Sequence, residues 1–397
     1  MKRQAPALEA ALAQLEAAQL RRARVTVDHR AANARTLTLA GGRELVDFSS
    51  NDYLGLARHP ALAAAMAACA VHAGAGSGAS HLITGHGAEH ERLEEELAAF
   101  TRRERALLFS TGYMANLAVM TSLAGRSERV LLDRLCHASL IDGARLSGAT
   151  LARYPHADAA AAARLLEADR GSTVLLATDG VFSMDGDLAP LPELARCARK
   201  GDLWLVVDDA HGLGVLGAGG GGTLEHFGLG SDAVPILIGT LGKAFGSFGA
   251  FVAGSTALIE FLIQKSRTYI YTTALPQPVA AASRAALALI RQESGRRERL
   301  RSLVGRFRLA AHALGVPLAD STTPIQPVLL GSAAAALAAQ RELASAGYWV
   351  VAIRPPTVPP GSARLRVTLS AAHTEAEIDG LAEQLARACA RARSADP

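Results

Sequence analysis

Between about Pro60 and Ile290 the chain repeats one pattern: a short unbroken apolar run, then a stretch with helical spacing. The runs are RALLFS (105–110), RVLLD (129–133), TVLLAT (173–178), LWLVVDD (203–209), PILIGT (235–240) and GAFVAG (249–254). Strands that are continuously apolar, rather than alternating, are buried on both faces. The pattern therefore predicts a mostly parallel sheet wound between helices, an α/β fold. Segments such as GYMANLAVMTSL and LPELARCARK supply the helices.

The flanks read differently. Residues 1–55 predict an amphipathic helix and a hairpin-like stretch, TLTLAGGRELVDFSS, turning at Gly41-Gly42. Residues 56–290 form the large domain. From 291 to 397 an arginine-rich helix, a strand IQPVLLGS, a helix over 337–346, a strand YWVVAI and a strand RLRVTLS predict a small C-terminal α+β domain. Its last helix starts at a capping box, Thr374 with Glu377 three residues on. A net charge of +4, with no block of five or more like charges, gives no nucleic-acid footprint. No segment has the roughly 18 to 20 apolar residues of a membrane span. The four scattered cysteines form no C-x-x-C pair and read as reduced thiols. A soluble cytoplasmic protein is expected.

In open α/β sheets, ligands bind beyond the carboxyl ends of the strands. The residues there are Ser110 to Tyr113, Asp133 and His137, Asp179 and Ser183, Asp208 to His211, and Thr240 with Lys243. Five consecutive loops carrying such groups predict a site. Two nucleotide motifs fail in context. GLGVLG (212–217) is separated from its strand by Asp208–His211 and no helix follows it. Gly242-Lys243 has Leu237 where a phosphate loop needs glycine, and Ala244 where it needs Ser or Thr.

What remains is Lys243 in GTLGKAFGSFG, with no acid beside it. It is one of only four lysines (Lys2, Lys200, Lys243, Lys265) among 41 basic residues. A desolvated lysine suits imine chemistry. Pyridoxal phosphate needs such an amine, a carboxylate for its ring nitrogen, an anion cradle and a cover for the ring. Asp208 can supply the carboxylate. Gly112 and Tyr113 open a helix directly after a strand, with N–H groups facing an anion. His137 can stack on the ring. His81, His86 and His90 suggest a metal, His86 and His90 at helical spacing, but without a third ligand and with glycines around them no metal is expected.

Nine ordered motifs between about Leu12 and Arg391 then resemble one family, the α-oxoamine synthases. They are SSNDYLGL (49–56), GSGASHLITGH (76–86), STGYMAN (110–116), DRLCHASL (133–140), FSMDGD (182–187), VDDAHG (207–212), GTLGKAFG (239–246), IRPPTVP (353–359) and RLRVTL (364–369). The resemblance implies a pyridoxal-phosphate enzyme of fold type I, aspartate-aminotransferase-like. It also implies a homodimer with its active site at the interface. SSNDYLGL, DDAHG and IRPPTVP look like the biotin-pathway branch, which condenses L-alanine with a pimeloyl thioester carried on CoA or an acyl-carrier protein. ATDG (177–180) instead looks like the glycine acetyltransferase branch, the first alternative. A PLP aminotransferase or lyase, or a non-catalytic scaffold subunit, are the others.

By motif position, the resemblance makes Lys243 the cofactor-holding residue and base. His137 would stack on the ring, Asp208 would pair with the ring nitrogen, and Ser183 and His211 would meet the phenolate oxygen. Gly112, Tyr113 and Thr240 would serve the phosphate, joined by Thr272 or Thr273 from a second subunit. Arg366 would clamp the amino-acid carboxylate, and Arg21, Asn51, Arg354 and Thr357 would serve the acyl substrate.

Overall fold

The structure is a computed structural model and describes residues 5–169 and 171–395; Lys2 and the start of the expected N-terminal helix lie outside them. The chain divides into two compact units. One comprises residues 1–50, 184–186 and 299–397; the other comprises 51–183 and 187–298.

The first unit opens with a helix, Ala5–Ala17, and three strands, Val27–Arg30 (β1), Thr36–Leu39 (β2) and Arg43–Asp47 (β3). β2 and β3 form the expected antiparallel hairpin, with Leu39 opposite Arg43. Gly41 and Gly42 turn it at φ +97° and +83°, where a side chain would be strained.

The second unit holds seven strands: Arg105–Phe109 (β4), Arg129–Asp133 (β5), Thr150–Tyr154 (β6), Thr173–Asp179 (β7), Trp204–Asp208 (β8), Ile236–Thr240 (β9) and Ala250–Gly254 (β10). They form one sheet in the order β4-β10-β9-β8-β7-β5-β6. β10 runs antiparallel to both neighbours; the other pairs are parallel. All six apolar runs are strands. β6 was not foreseen, because TLARY is an edge strand in which only Tyr154 is fully buried.

Alternate residues of each central strand feed opposite cores, as the pleat requires. Val130, Leu132 and Val206 pack on one side with Ala115, Val119 and Leu140. Leu131, Leu205 and Val207 pack on the other with Leu191 and Leu194. Both faces are thus dry, and polar chemistry is left to the strand ends.

Back in the first unit, Ile325–Gly331 (β11), Val351–Ile353 (β13) and Ala363–Thr368 (β14) form an antiparallel sheet in the order β11-β14-β13. YWVVAI is not one strand. Tyr348–Trp349 (β12) pairs in parallel with β3, and the chain then crosses at the buried Val350 to pair β13 with β14. The expected arginine-rich helix from Arg291 is also interrupted: one helix ends at Gln292, Glu293 leaves helical geometry (ψ 65°), and Ser294–Ala313 follows. The C-terminal helix, Glu375–Ala395, has its capping box. The Thr374 hydroxyl accepts from the Glu377 N–H at 3.3 Å, and the Glu377 carboxylate accepts from the Thr374 N–H at 2.8 Å. No described helix is long and apolar enough to cross a membrane.

Candidate active site

Lys243 sits in the tight connection between β9 and β10. Leu241 N–H donates to the Gly249 carbonyl, Gly246 N–H to that of Lys243, and Ser247 N–H to that of Leu241. Gly246 has φ +63°, and a Cβ there would lie 2.3 Å from the Ala57 backbone nitrogen. Only glycine lets this loop seat against residues 56–57. Thr240, the last residue of β9, donates its hydroxyl to the Gly249 carbonyl at 3.0 Å and accepts from Gly242 N–H at 3.3 Å.

The Lys243 amine is 2.8 Å from His211 Nε2, whose Nδ1 is 2.7 Å from the Tyr53 hydroxyl. That hydroxyl is 3.2 Å from Asn51 Oδ1. One orientation satisfies all three contacts: the amine donates to Nε2, Nδ1–H donates to the Tyr53 oxygen, and the Tyr53 O–H donates to Asn51. Asn51, expected at the acyl substrate, thus ends a hydrogen-bond chain that starts at the amine.

Asp208 ends β8 nearly buried. One oxygen accepts from Ala210 N–H at 3.0 Å, and the other accepts from Asn116 Nδ2 at 2.6 Å. Asn116 also donates to Ser139 Oγ at 2.7 Å, and Ser139 lies 2.7 Å from His137 Nδ1. Run in that direction, the chain makes Nδ1 an acceptor and leaves the His137 proton on Nε2. Burial lowers the His137 pKa; the Asp208 charge opposes this, and the Lys243 charge adds to it. A neutral ring is what stacking needs. Beneath it, both Asp179 oxygens accept the His137 backbone N–H, and burial and the Asp208 charge push the Asp179 pKa up.

The helix Gly112–Leu123 starts right after β4. Thr111 caps it by accepting from Met114 N–H at 3.2 Å, and a Cβ added at Gly112 would meet nothing within 4 Å. Its first-turn N–H groups therefore open on free space, as an anion cradle must. Tyr113 is partly exposed and donates its hydroxyl to Asp142 at 2.6 Å.

Asp209, fully buried, anchors the next loop. Its carboxylate accepts from Thr223 N–H at 2.7 Å, and burial pushes its pKa up to about 8. A Cβ on Gly212 would lie 2.1 Å from that carboxylate, so glycine is required beside His211.

Ser183 lies in the FSMDGD turn after β7, where Val181 bridges Leu188. His156 pins this turn, 3.1 Å from Asp133 and 2.8 Å from Asp187, edge-on to Phe182. Burial disfavours its charge, but hydrogen bonds to the two carboxylates outweigh that and raise its pKa to about 10. A raised cationic pKa stabilises the fold fully below the ordinary value of 6.5, and this is lost as pH rises through about 10. The melting temperature is therefore expected to fall across that window more steeply in wild type than in His156→Gln. Parallel melting curves would remove His156 as the cause.

Thr272 donates its hydroxyl to the Thr268 carbonyl of its own chain, and Thr273 bridges Ser80. His81 and His86 share an Nδ1–Nδ1 contact of 2.8 Å. His90 accepts from Gly87 N–H and donates to the Leu275 carbonyl, so both of its ring nitrogens are engaged. Burial, with the two other imidazoles, lowers the His81 pKa to about 3.

Within the first unit, Arg366 lies on β14, buried, opposite Pro327 and Val351. Arg354 donates to the carbonyls of Gln19 and Arg21. The Arg21 guanidinium forms an exposed pair with Glu16, whereas Arg22 reaches the Thr357 hydroxyl at 3.1 Å. Sequence reading singled out neither Arg22 nor Asn116, Ser139 or Tyr53. Asn116 carried a signal: a polar side chain four residues after Gly112 shares its helix face.

An amine, a neutral imidazole, an anchored carboxylate and an open helix N-terminus together fit pyridoxal phosphate. Asn116 Oδ1, buried without a hydrogen-bond partner, marks the same place as built for polar company.

A family model described as aminotransferase class I and II matches residues 43–385. Over 353 residues the chain is 62% identical to the 8-amino-7-oxononanoate synthase of Methylococcus capsulatus, covering 89% of this chain and 91% of that protein. Serine palmitoyltransferase from S. paucimobilis, solved with a bound PLP–myriocin aldimine, superposes with a TM-score of 0.92 at 28% identity, covering 98% of each chain. The 8-amino-7-oxononanoate synthase of Francisella tularensis superposes with a TM-score of 0.76 at 33% identity, covering 86% of this chain and 97% of that one.

Proposed function

The chain belongs to the aminotransferase class I and II family, in its 8-amino-7-oxononanoate synthase branch, and from that membership we propose the division of labour among its residues. The enzyme uses pyridoxal phosphate. It condenses L-alanine with a pimeloyl thioester, releasing CO2 and the thiol and forming 8-amino-7-oxononanoate.

When bound, the cofactor supplies an aldehyde that condenses with amines and a ring that draws electron density from the amino acid's α-carbon. In the proposed scheme Lys243 holds it and later moves the α-proton. A base must be neutral to do so, and His211 Nε2 is placed to accept a proton from the amine, with Tyr53 and Asn51 fixing its tautomer. Asp208 keeps the ring nitrogen protonated, held in place by Ala210 N–H and Asn116. His137 covers the ring. The N-terminus at Gly112 and Tyr113, with Thr240, takes the phosphate, and Ser183 and His211 serve the phenolate oxygen.

We assign Arg366 to the alanine carboxylate. The cluster of Arg21, Arg22, Arg354 and Thr357, together with Asn51, is assigned to the acyl substrate. Arg354 bonds to the Gln19 and Arg21 carbonyls and Arg22 meets Thr357, which supports this assignment for Arg22, Arg354 and Thr357, while the Arg21 guanidinium pairs with Glu16.

We also propose a homodimer with Thr272 reaching the partner's phosphate site. Leu82, Ile83 and Tyr271 are 48%, 75% and 69% exposed on two segments joined by the Ser80–Thr273 bridge. Exposed apolar side chains of that kind support an interface there. Sedimentation of a monomer at working concentration would remove this assignment. Four free cysteines suit a cytoplasmic protein.

The observation that carries the scheme is that the Lys243 amine faces an imidazole. Its test is to add L-alanine with a panel of acyl thioesters and follow thiol and CO2. Stoichiometric release with the pimeloyl thioester is expected. Conversion of the cofactor to its pyridoxamine form by alanine alone would replace this reading with transamination.

A further inference from the structure

A second cavity lies in the second unit, away from the residues assigned above. It has a volume of about 460 Å³ and lies between the end of the helix Ala88–Thr101 and the glycine-rich segment after Gly217. Its apolar lining includes Phe100, Leu224 and Leu229, and its charged lining is Arg102, Arg103, Glu225 and Arg291.

Arg103 is the unusual member. It is only 8% exposed, and its Nε and Nη1 are buried with no hydrogen-bond partner. A guanidinium cannot shed its charge at physiological pH, so burying one without an anion is strongly unfavourable. The nearby acids do not answer it. Glu225, on the same wall, has both oxygens engaged by the N–H groups of Gly219 and Gly221. Asp232, whose charge does act on Arg103, is exposed and lies 3.6 Å from Arg199.

We propose that this cavity is a ligand site for a small oxyanion, with Arg103 as its anchor and the leucines receiving whatever apolar body the anion carries. A volume of this size takes a small organic molecule. A carboxylate or a phosphate in the cavity would set a countercharge beside the Arg103 guanidinium, which forms no ion pair among the described residues. The glycine-rich wall continues from the loop that carries His211, since Leu213 bridges Gly221. An occupant would therefore stiffen a segment that ends at the cofactor site.

The test uses full-length protein loaded with pyridoxal phosphate, so that the cofactor's own phosphate site is filled. Inorganic phosphate and octanoate are titrated separately by calorimetry and by thermal melting, in wild type, Arg103→Met and Leu229→Trp. At least one probe is expected to bind saturably and raise the melting temperature of wild type. Arg103→Met should bind it more than about tenfold more weakly, the scale of one lost charged hydrogen bond. Leu229→Trp, which fills the cavity and keeps the charge, should lose it as well, so the proposal stays testable if Arg103→Met does not fold. A response to phosphate alone identifies a phosphate ligand, and one to octanoate alone a carboxylate with an apolar body. No saturable binding of either probe at millimolar concentration, or equal binding in all three proteins, would overturn the proposal.

Discussion

Replacing Lys243 with Ala is expected to lower turnover at least about 10³-fold, the scale of losing both a covalent anchor and a proton-transfer group. The fold should survive. Lys243 is half-buried, and the loop that carries it is closed by backbone hydrogen bonds that alanine keeps. The apo melting temperature should therefore match wild type. The visible absorbance of the lysine-linked cofactor should vanish, although the helix N-terminus at Gly112 can still bind its phosphate. A variant with more than a tenth of wild-type turnover would show that some other group moves the proton.

Asp208→Asn isolates the charge from the shape. The new amide oxygen can still accept from Ala210 N–H, now held by Asp208 at 3.0 Å. On the other side the amide nitrogen would meet the Asn116 Nδ2 that donates to Asp208 at 2.6 Å, two donors face to face. Asn116 can resolve this by turning its amide, since its Oδ1 has no partner, provided that Ser139 Oγ then donates to that oxygen instead of accepting from Nδ2. Folding should thus be kept while the anion assigned to the ring nitrogen is lost. Turnover is expected to fall about 10² to 10³-fold, as for removal of one preorganised electrostatic group. The KM for alanine should change little, because the proposed scheme assigns Asp208 to the ring and not to the substrate. Turnover within threefold of wild type would remove Asp208 from its assigned role.

Much of this was legible in the chain. The unbroken apolar runs marked six of the seven central strands, because dry faces on both sides leave no polar position within a strand. Once the strands were placed, the strand-end rule delivered Lys243, Asp208, His137, His211 and Gly112 together. The residues it passed over hydrogen-bond to that set or to one another. Asn116 and Ser139 lie inside helices, Tyr53 precedes the sheet altogether, and none ends a strand. Their contacts exist only because folding brings Asn116 onto Asp208 and Tyr53 onto His211. Arg22 was hidden for a different reason. In LRRAR, sequence spacing does not tell which arginine turns towards Thr357. β6 escaped because TLARY is mostly open to solvent, with only Tyr154 fully buried, whereas β4 at the other edge is apolar and buried from Ala106 to Phe109. The break in YWVVAI escaped because one apolar run can serve two sheets in succession.

The central claim is that one amine, that of Lys243, carries the cofactor. The most direct measurement is borohydride reduction of the cofactor-loaded enzyme, followed by proteolysis and mass mapping of the pyridoxyl group. The label is expected on the peptide containing Lys243, in about one equivalent per chain. Label on Lys200 or Lys265, or a colourless protein that takes up none, would contradict it.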